Sequence, residues 1–82
     1  MAALSASAWQ VRSGAASALA AARPDVAVPA LAKALADPNA DVRKAAVLAL
    51  TRHNVTEDAR AALATATTDT DADVRAYAAR AL

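Results

Sequence analysis

Apolar residues in this chain recur in one arrangement that is written three times. Val11, Ala15, Ala18 and Leu19 return as Val42, Ala46, Ala49 and Leu50, then as Val74, Ala78, Ala81 and Leu82, at spacings of 31 and 32 residues. At ~100° per residue each set falls within an arc of roughly 100°, the width of the buried stripe on an amphipathic helix. An arginine follows each valine directly, at Arg12, Arg43 and Arg75. A period in the thirties marks stacked repeats, in which no unit buries its apolar face alone and neighbours complete the core.

The middle repeat is the most complete and sets the reading of the others. Pro24-Asp25 opens a first helix of about residues 25–36, with Val28, Leu31, Ala32 and Leu35 at three- and four-residue spacing, and Asp37-Pro38 ends it. Pro29 is placed in the first turn, where a missing amide donor costs little. Asp37-Pro38-Asn39 reads as a turn, Asn39 as the cap of a second helix of about 40–53, and Asp41 as an anion favoured by the helix dipole. Asn54 is expected to terminate that helix in a left-handed conformation. In the third repeat Thr56 begins the first helix, Asp71 takes the place of Asn39, and the second helix runs over about 72–82. The first repeat is truncated: Leu4 belongs to the tail of a first helix, and Ser7 caps a helix over 8–22. The chain is thus expected to be a single domain, 1–82, of repeats at about 1–22, 23–54 and 55–82. Five full helices and a fragment are predicted.

Composition sharpens the class. Alanine fills 29 of the 82 positions while glycine occurs once, at Gly14, and alanine combines the best helix propensity with the smallest apolar side chain. An all-α protein with closely approaching helices follows. Nine Lys and Arg against eight Asp and Glu leave a net charge of +1, which argues against a strongly electrostatic partner such as bulk DNA. There is no cysteine, so disulfides and thiolate metal sites are excluded. No apolar run approaches the ~20 residues that span a bilayer, and the first residues lack the pattern of a signal peptide. A soluble, cytoplasmic protein without membrane contact is the expectation.

The stretch from Ala34 through Asp37-Pro38-Asn39-Ala40-Asp41-Val42-Arg43-Lys44-Ala45-Ala46 to Leu50 resembles the core of a HEAT repeat, of the short type also found in phycobilisome lyases. Asp71-Ala72-Asp73-Val74-Arg75 restates its turn and helix start. Around Trp9 to Leu19 the likeness is looser, because Gln10 replaces the acid and Gly14 interrupts the helix. The resemblance implies a right-handed α-solenoid of about two and a half helix-turn-helix units, with first helices on the convex side and second helices on the concave side. It also implies a non-catalytic scaffold for protein contacts, and a structural ladder at Arg12, Arg43 and Arg75. On the helical wheel these arginines sit at the edge of the stripe, where the stem packs and the head can meet an acid or carbonyl of the adjacent repeat.

Candidate chemistry is sparse. The single histidine, His53, falls in the last turn of its helix and reads as a capping residue. Asp69, Asp71 and Asp73 alternate like the start of a calcium loop, but Val74 and Arg80 stand where the glycine and glutamate are required. No metal, cofactor or catalytic residue is assigned. Surfaces remain. Six of the nine basic residues, Arg12, Arg43, Lys44, Arg52, Arg75 and Arg80, fall on second helices, so a mildly positive inner face is expected. Positions two, five, six and nine after each valine point away from the stripe, which selects Lys44, Val47, Leu48 and Thr51, joined by Arg80, as a strip for a protein or peptide, acidic in character. For Val47 and Leu48 the structural alternative is packing against neighbouring repeats. Trp9 is read as a plug over the exposed core edge, with an interface anchor as the alternative. Nucleic-acid contact through the basic helices, an accessory role in a lyase-like enzyme and self-association through uncapped ends stand beside the scaffold reading.

Overall fold

The computed structural model describes Leu4 and residues 6–82. Among these the chain forms five α-helices and no strand: α1 Trp9–Ala18, extended by a 3-10 turn Leu19–Ala21, α2 Pro24–Ala34, α3 Ala40–Thr51, α4 Glu57–Ala66 and α5 Ala72–Ala81. The helix tail expected before Ser7 falls largely on residues 1–3 and 5, which lie outside the described residues. Leu4 itself is half-buried against the core.

The helices stack in two layers. The second helices α1, α3 and α5 lie side by side with α3 in the middle, and the first helices α2 and α4 cover them from one side. The Cα envelope measures 30 × 27 × 14 Å. Its thickness matches two helix layers, since axes about 10 Å apart with Cα radii of ~2.3 Å span close to that dimension. Among the described residues no helix is long and apolar enough to cross a membrane.

Local sequence explains most boundaries. Asn39 accepts from the amides of Asp41 and Val42, Asp71 from those of Asp73 and Val74, and Thr56 from that of Ala59, so three helices start at side-chain caps. Other starts differ from expectation. α2 begins one residue earlier, with Arg23 as an uncapped N-cap and Pro24 in the first helical position, where its fixed φ suits the turn. Pro29 lies inside the helix rather than in its first turn, and the bond its amide would make to the Asp25 carbonyl is absent. α1 starts after Ala8, and the Ser7 side chain makes no cap. No non-glycine residue has positive φ among the described residues, so Asn54 is not a left-handed terminator. Its amide nitrogen instead donates to the Ala81 carbonyl, 3.3 Å away on α5.

Burial follows position in the stack more closely than membership of the stripe. Val42 and Val74 are fully buried, whereas Val11 is 48 % exposed and Leu82 is half exposed. A second helix has three buried sectors. Positions four and eight after the valine face the first helices; the valine itself, with positions three and seven, faces the preceding second helix; position five faces the following one. Among the described residues only α3 is covered on both flanks by other second helices. Accordingly Ala16 and Val47, at position five, are buried by α3 and α5, while Ala79 at the same position is exposed. Among the described residues nine of the seventeen buried apolar side chains are alanine, which lets the helices approach closely but leaves Leu31, Leu50 and Leu63 to contribute most of the burial per residue.

Gly14 occupies the middle of α1 with ordinary φ, and a Cβ built there meets no atom within 4 Å. No close approach requires it. Gly14→Ala is expected to stabilise the fold by about 0.5–1 kcal/mol through helix propensity. Urea denaturation followed by circular dichroism checks this, and an unchanged or lower midpoint would contradict it.

Candidate functional site

Two chemically distinct regions emerge, a ladder of arginines between repeats and the outward face of the second helices. The ladder follows from the helix wheel. An arginine one residue after each valine lies between the sector facing the first helices and the flank facing the next repeat, so its head reaches the next interhelical turn. Arg12 Nε donates to Asp37 Oδ2 at 2.7 Å and Nη2 to Oδ1 at 3.1 Å, a bidentate pair, while Nη1 donates to the carbonyls of Ala6 and Ser7. Arg43 repeats the arrangement: Nε and Nη2 donate to the Asp69 carboxylate at 3.0 to 3.3 Å, and Nη1 to the Asp37 carbonyl at 2.8 Å. These four side chains are only 10 to 15 % exposed. Each aspartate also accepts from a turn amide, Asp37 from Asn39 and Asp69 from Asp71. One carboxylate thus shapes its own turn and clamps the preceding repeat. Arg75 keeps the carbonyl half of the pattern, donating through Nη1 to Asp69 and Thr70.

The sequence pattern marks Asp37 as part of a turn and Asp69 as part of an acidic alternation, and names neither as the partner of an arginine. Their positions carried a further signal, since they stand 25 and 26 residues after Arg12 and Arg43 and five before Val42 and Val74. His53 was likewise placed too locally. It is buried, and its Nε2 donates to the Leu19 carbonyl at 3.0 Å, so it satisfies the end of α1 in the preceding repeat rather than its own helix. Together His53 and Asn54 tie the loop after α3 to both neighbouring second helices.

The ladder perturbs its acid. The hydrogen bond from Arg12 holds the Asp37 carboxyl below the ordinary carboxylate range; burial opposes this, and the Asn39 amide and the charges of Arg12 and Arg43 reinforce it. The Asp71 carboxyl is also lowered, chiefly by the Val74 amide that it caps.

The outward face is narrower than the expected strip. Val47 is fully buried and offers a partner nothing: position five lies ~100° from position six on the wheel, on the flank packed by the next repeat. Leu48 remains 52 % exposed. Thr51 is half-buried and its hydroxyl donates to the Val47 carbonyl at 2.9 Å. Lys44 Nζ sits 3.4 Å from both Asp41 Oδ1 and Asp73 Oδ2, linking the starts of α3 and α5, and those two bonds raise its pKa. Arg80 is exposed, its guanidinium 5.7 Å from the centroid of the Tyr77 ring. With Arg12, Arg43 and Lys44 paired to acids, the positive character expected of this face reduces to Arg52, Arg75 and Arg80. Trp9, at the start of α1, is 39 % exposed.

Helical hairpins in register, with second helices in one layer and first helices in the other, define an α-helical repeat solenoid. The chain matches the family model for HEAT repeats over residues 1–82, and it belongs to that family. Repeats of this family generally serve as scaffolds for protein interaction. Comparison with curated proteins finds no match.

Two measurements test the ladder. Arg43→Ala removes charge-assisted bonds and strands the Asp69 carboxylate, which is expected to cost about 2 kcal/mol, or on the order of 10 °C in Tm for a domain this size. A shift below about 2 °C would show that the rung is dispensable. The pH dependence follows from the sign of the Asp37 shift. A carboxyl lowered in the folded state contributes stability that is fully present above its unfolded value, near about 3.9, and that disappears as pH falls through the folded value. Stability should therefore decline below about pH 4, and Asp37→Asn should make that decline shallower in urea titrations between about pH 2 and 5. An unaltered slope in the variant would remove Asp37 as a source.

Proposed function

We propose that this protein is a non-catalytic interaction module whose outward second-helix face, centred on Leu48, binds a protein or peptide. The observation that carries the reading is the half-exposed Leu48 in the second half of α3, the helix best held by its neighbours. At the same register the neighbouring second helices present Ser17 on α1 and Arg80 on α5, both exposed. Leu48 thus stands as an apolar knob between a small polar residue and a cation. Trp9 lies about eight residues, or ~12 Å along the axis, toward the helix starts. Aromatic and arginine side chains around an apolar centre are the usual composition of contact hot spots.

The chemistry favours a short segment with an apolar anchor for Leu48 and a carboxylate for Arg80. Lys44 contributes less, because Asp41 and Asp73 already hold it, and Thr51 offers a hydroxyl engaged with its own backbone. Selection from a displayed peptide library, followed by affinity measurement on purified protein, tests the assignment. Leu48→Lys and Arg80→Glu should each weaken selected ligands by at least about tenfold, while the melting temperature stays within about 2 °C of the parent, as for surface substitutions in general. Ligands that bind both variants as tightly as the parent would move the site elsewhere.

A further inference from the structure

The second helices α3 and α5 run in the same direction and are tied at both ends. Lys44 Nζ joins Asp41 and Asp73 where they start, and Asn54 donates to the Ala81 carbonyl where they finish. Acids favour the start of a helix and bases its end, because the backbone dipole is positive at the first and negative at the second. Across an antiparallel pair these preferences cancel, whereas across a parallel pair they add. At ~100° per residue, Asp41, Lys44, Leu48 and Arg52 fall within an arc of roughly 80° on α3, and Asp73, Tyr77 and Arg80 within roughly 60° on α5. The outward face of the pair therefore has a polarity of its own. At the starts, one lysine serves two aspartates whose side chains are 55 and 64 % exposed, which leaves net negative charge. At the ends stand Arg52 and Arg80, both exposed, and among the described residues neither pairs with a carboxylate. Leu48 lies between the two charged zones, with half-buried Tyr77 on the flank of α5 that faces α3.

We propose that this face receives an amphipathic helix of a partner protein lying antiparallel to α3, its acidic first turn against Arg52 and Arg80 and its basic last turn against Asp41 and Asp73. Leu48 keeps the anchoring role proposed above, on which this orientation rests, and meets an apolar residue near the centre of the incoming helix. A partner helix shares the intrinsic preference of α3, acids first and bases last, so reversed alignment brings opposite charges and opposite dipole ends together. Asp41 and Arg52 stand eleven residues apart, or ~16 Å along the axis, which sets the incoming helix at about three turns. A uniformly acidic segment fits less well, since the aspartates would repel what the arginines attract.

Three stapled helical peptides of about 14 residues, each with a central leucine, test the orientation. One carries glutamates in its first turn and lysines in its last, one carries glutamates in both, and one carries lysines in both. Binding to the whole chain is read by fluorescence anisotropy at low ionic strength, where rim charges are least screened. The mixed peptide should bind about fivefold tighter than either uniform one, and Asp73→Asn should shrink its advantage over the acidic peptide. A nitroxide at its N-terminus should broaden amide resonances around Arg52 and Arg80 and spare those around Asp41 and Asp73. Broadening at the helix starts would overturn the antiparallel alignment, and equal or tighter binding by the acidic peptide would overturn the charge order. Failure of all three peptides to bind would overturn the orientation as well, while the library selection above still judges the anchor. Leu48→Lys separates the two readings. Binding lost in that variant while the orientation fails leaves the anchor standing, whereas binding unchanged in it removes anchor and orientation together.

Discussion

Contact between successive second helices is the constraint on which the rest of the molecule depends. Each has an apolar surface wider than its own hairpin partner can cover, and the excess must lie against the helix before or after it. Small side chains make this possible. Ala16, Ala45, Ala46 and Ala49 are all buried, and a larger residue at any of them would push the layer apart, because cores accept extra volume only at a cost of ~1–3 kcal/mol. The consequence is a gradient of burial across the array. α3, with both flanks covered, buries Val42, Ala45, Val47 and Leu50, whereas among the described residues α1 and α5 each meet another second helix on one flank.

Packing of alanine against alanine is permissive about register, and the arginine ladder supplies what it lacks. Sliding one repeat along another by a turn would strand a guanidinium and a carboxylate at sites only 10 to 15 % exposed. Breaking such a pair while both groups stay shielded costs several times what the pair itself contributes. The aspartate also shapes the turn from which the next helix departs. Hairpin geometry and repeat spacing are thereby linked through one side chain. The exposed pair of Arg23 and Asp25 has no such leverage and adds little.

Architecture was legible in the sequence because two periods coincide, 3.6 residues within each helix and about 32 between units. The caps Asn39, Thr56 and Asp71 were legible for a local reason, since each acts on amides two or three residues away. What escaped depends on a neighbour that a single helix wheel omits. Val47 is assigned outward or inward only once α5 stands beside it. Asp37 and Asp69 acquire their partners from the preceding repeat, and His53 from a carbonyl 34 residues earlier. Pro29 lies beyond the ~3.6-residue first turn whether α2 starts at Pro24 or at Asp25, as the sixth or the fifth helical residue, so its place inside the helix was legible from the spacing itself.

On the reading proposed above, that same dependence on neighbours sets where a partner would meet α3. Two flanks and the sector beneath α2 and α4 are consumed by the fold, so the outward sector is all that remains, and Lys44 and Thr51 within it are partly spent on Asp41, Asp73 and the Val47 carbonyl. Leu48 is left as the one large apolar side chain there, on the helix with the fewest ways to move. A knob on a helix already held from three sides loses little freedom when a partner covers it, and the ordering cost that erodes most interfaces is correspondingly small. On the reading proposed above, the covering of α3 from three sides, more than the identity of the residue, suits Leu48 to be an anchor.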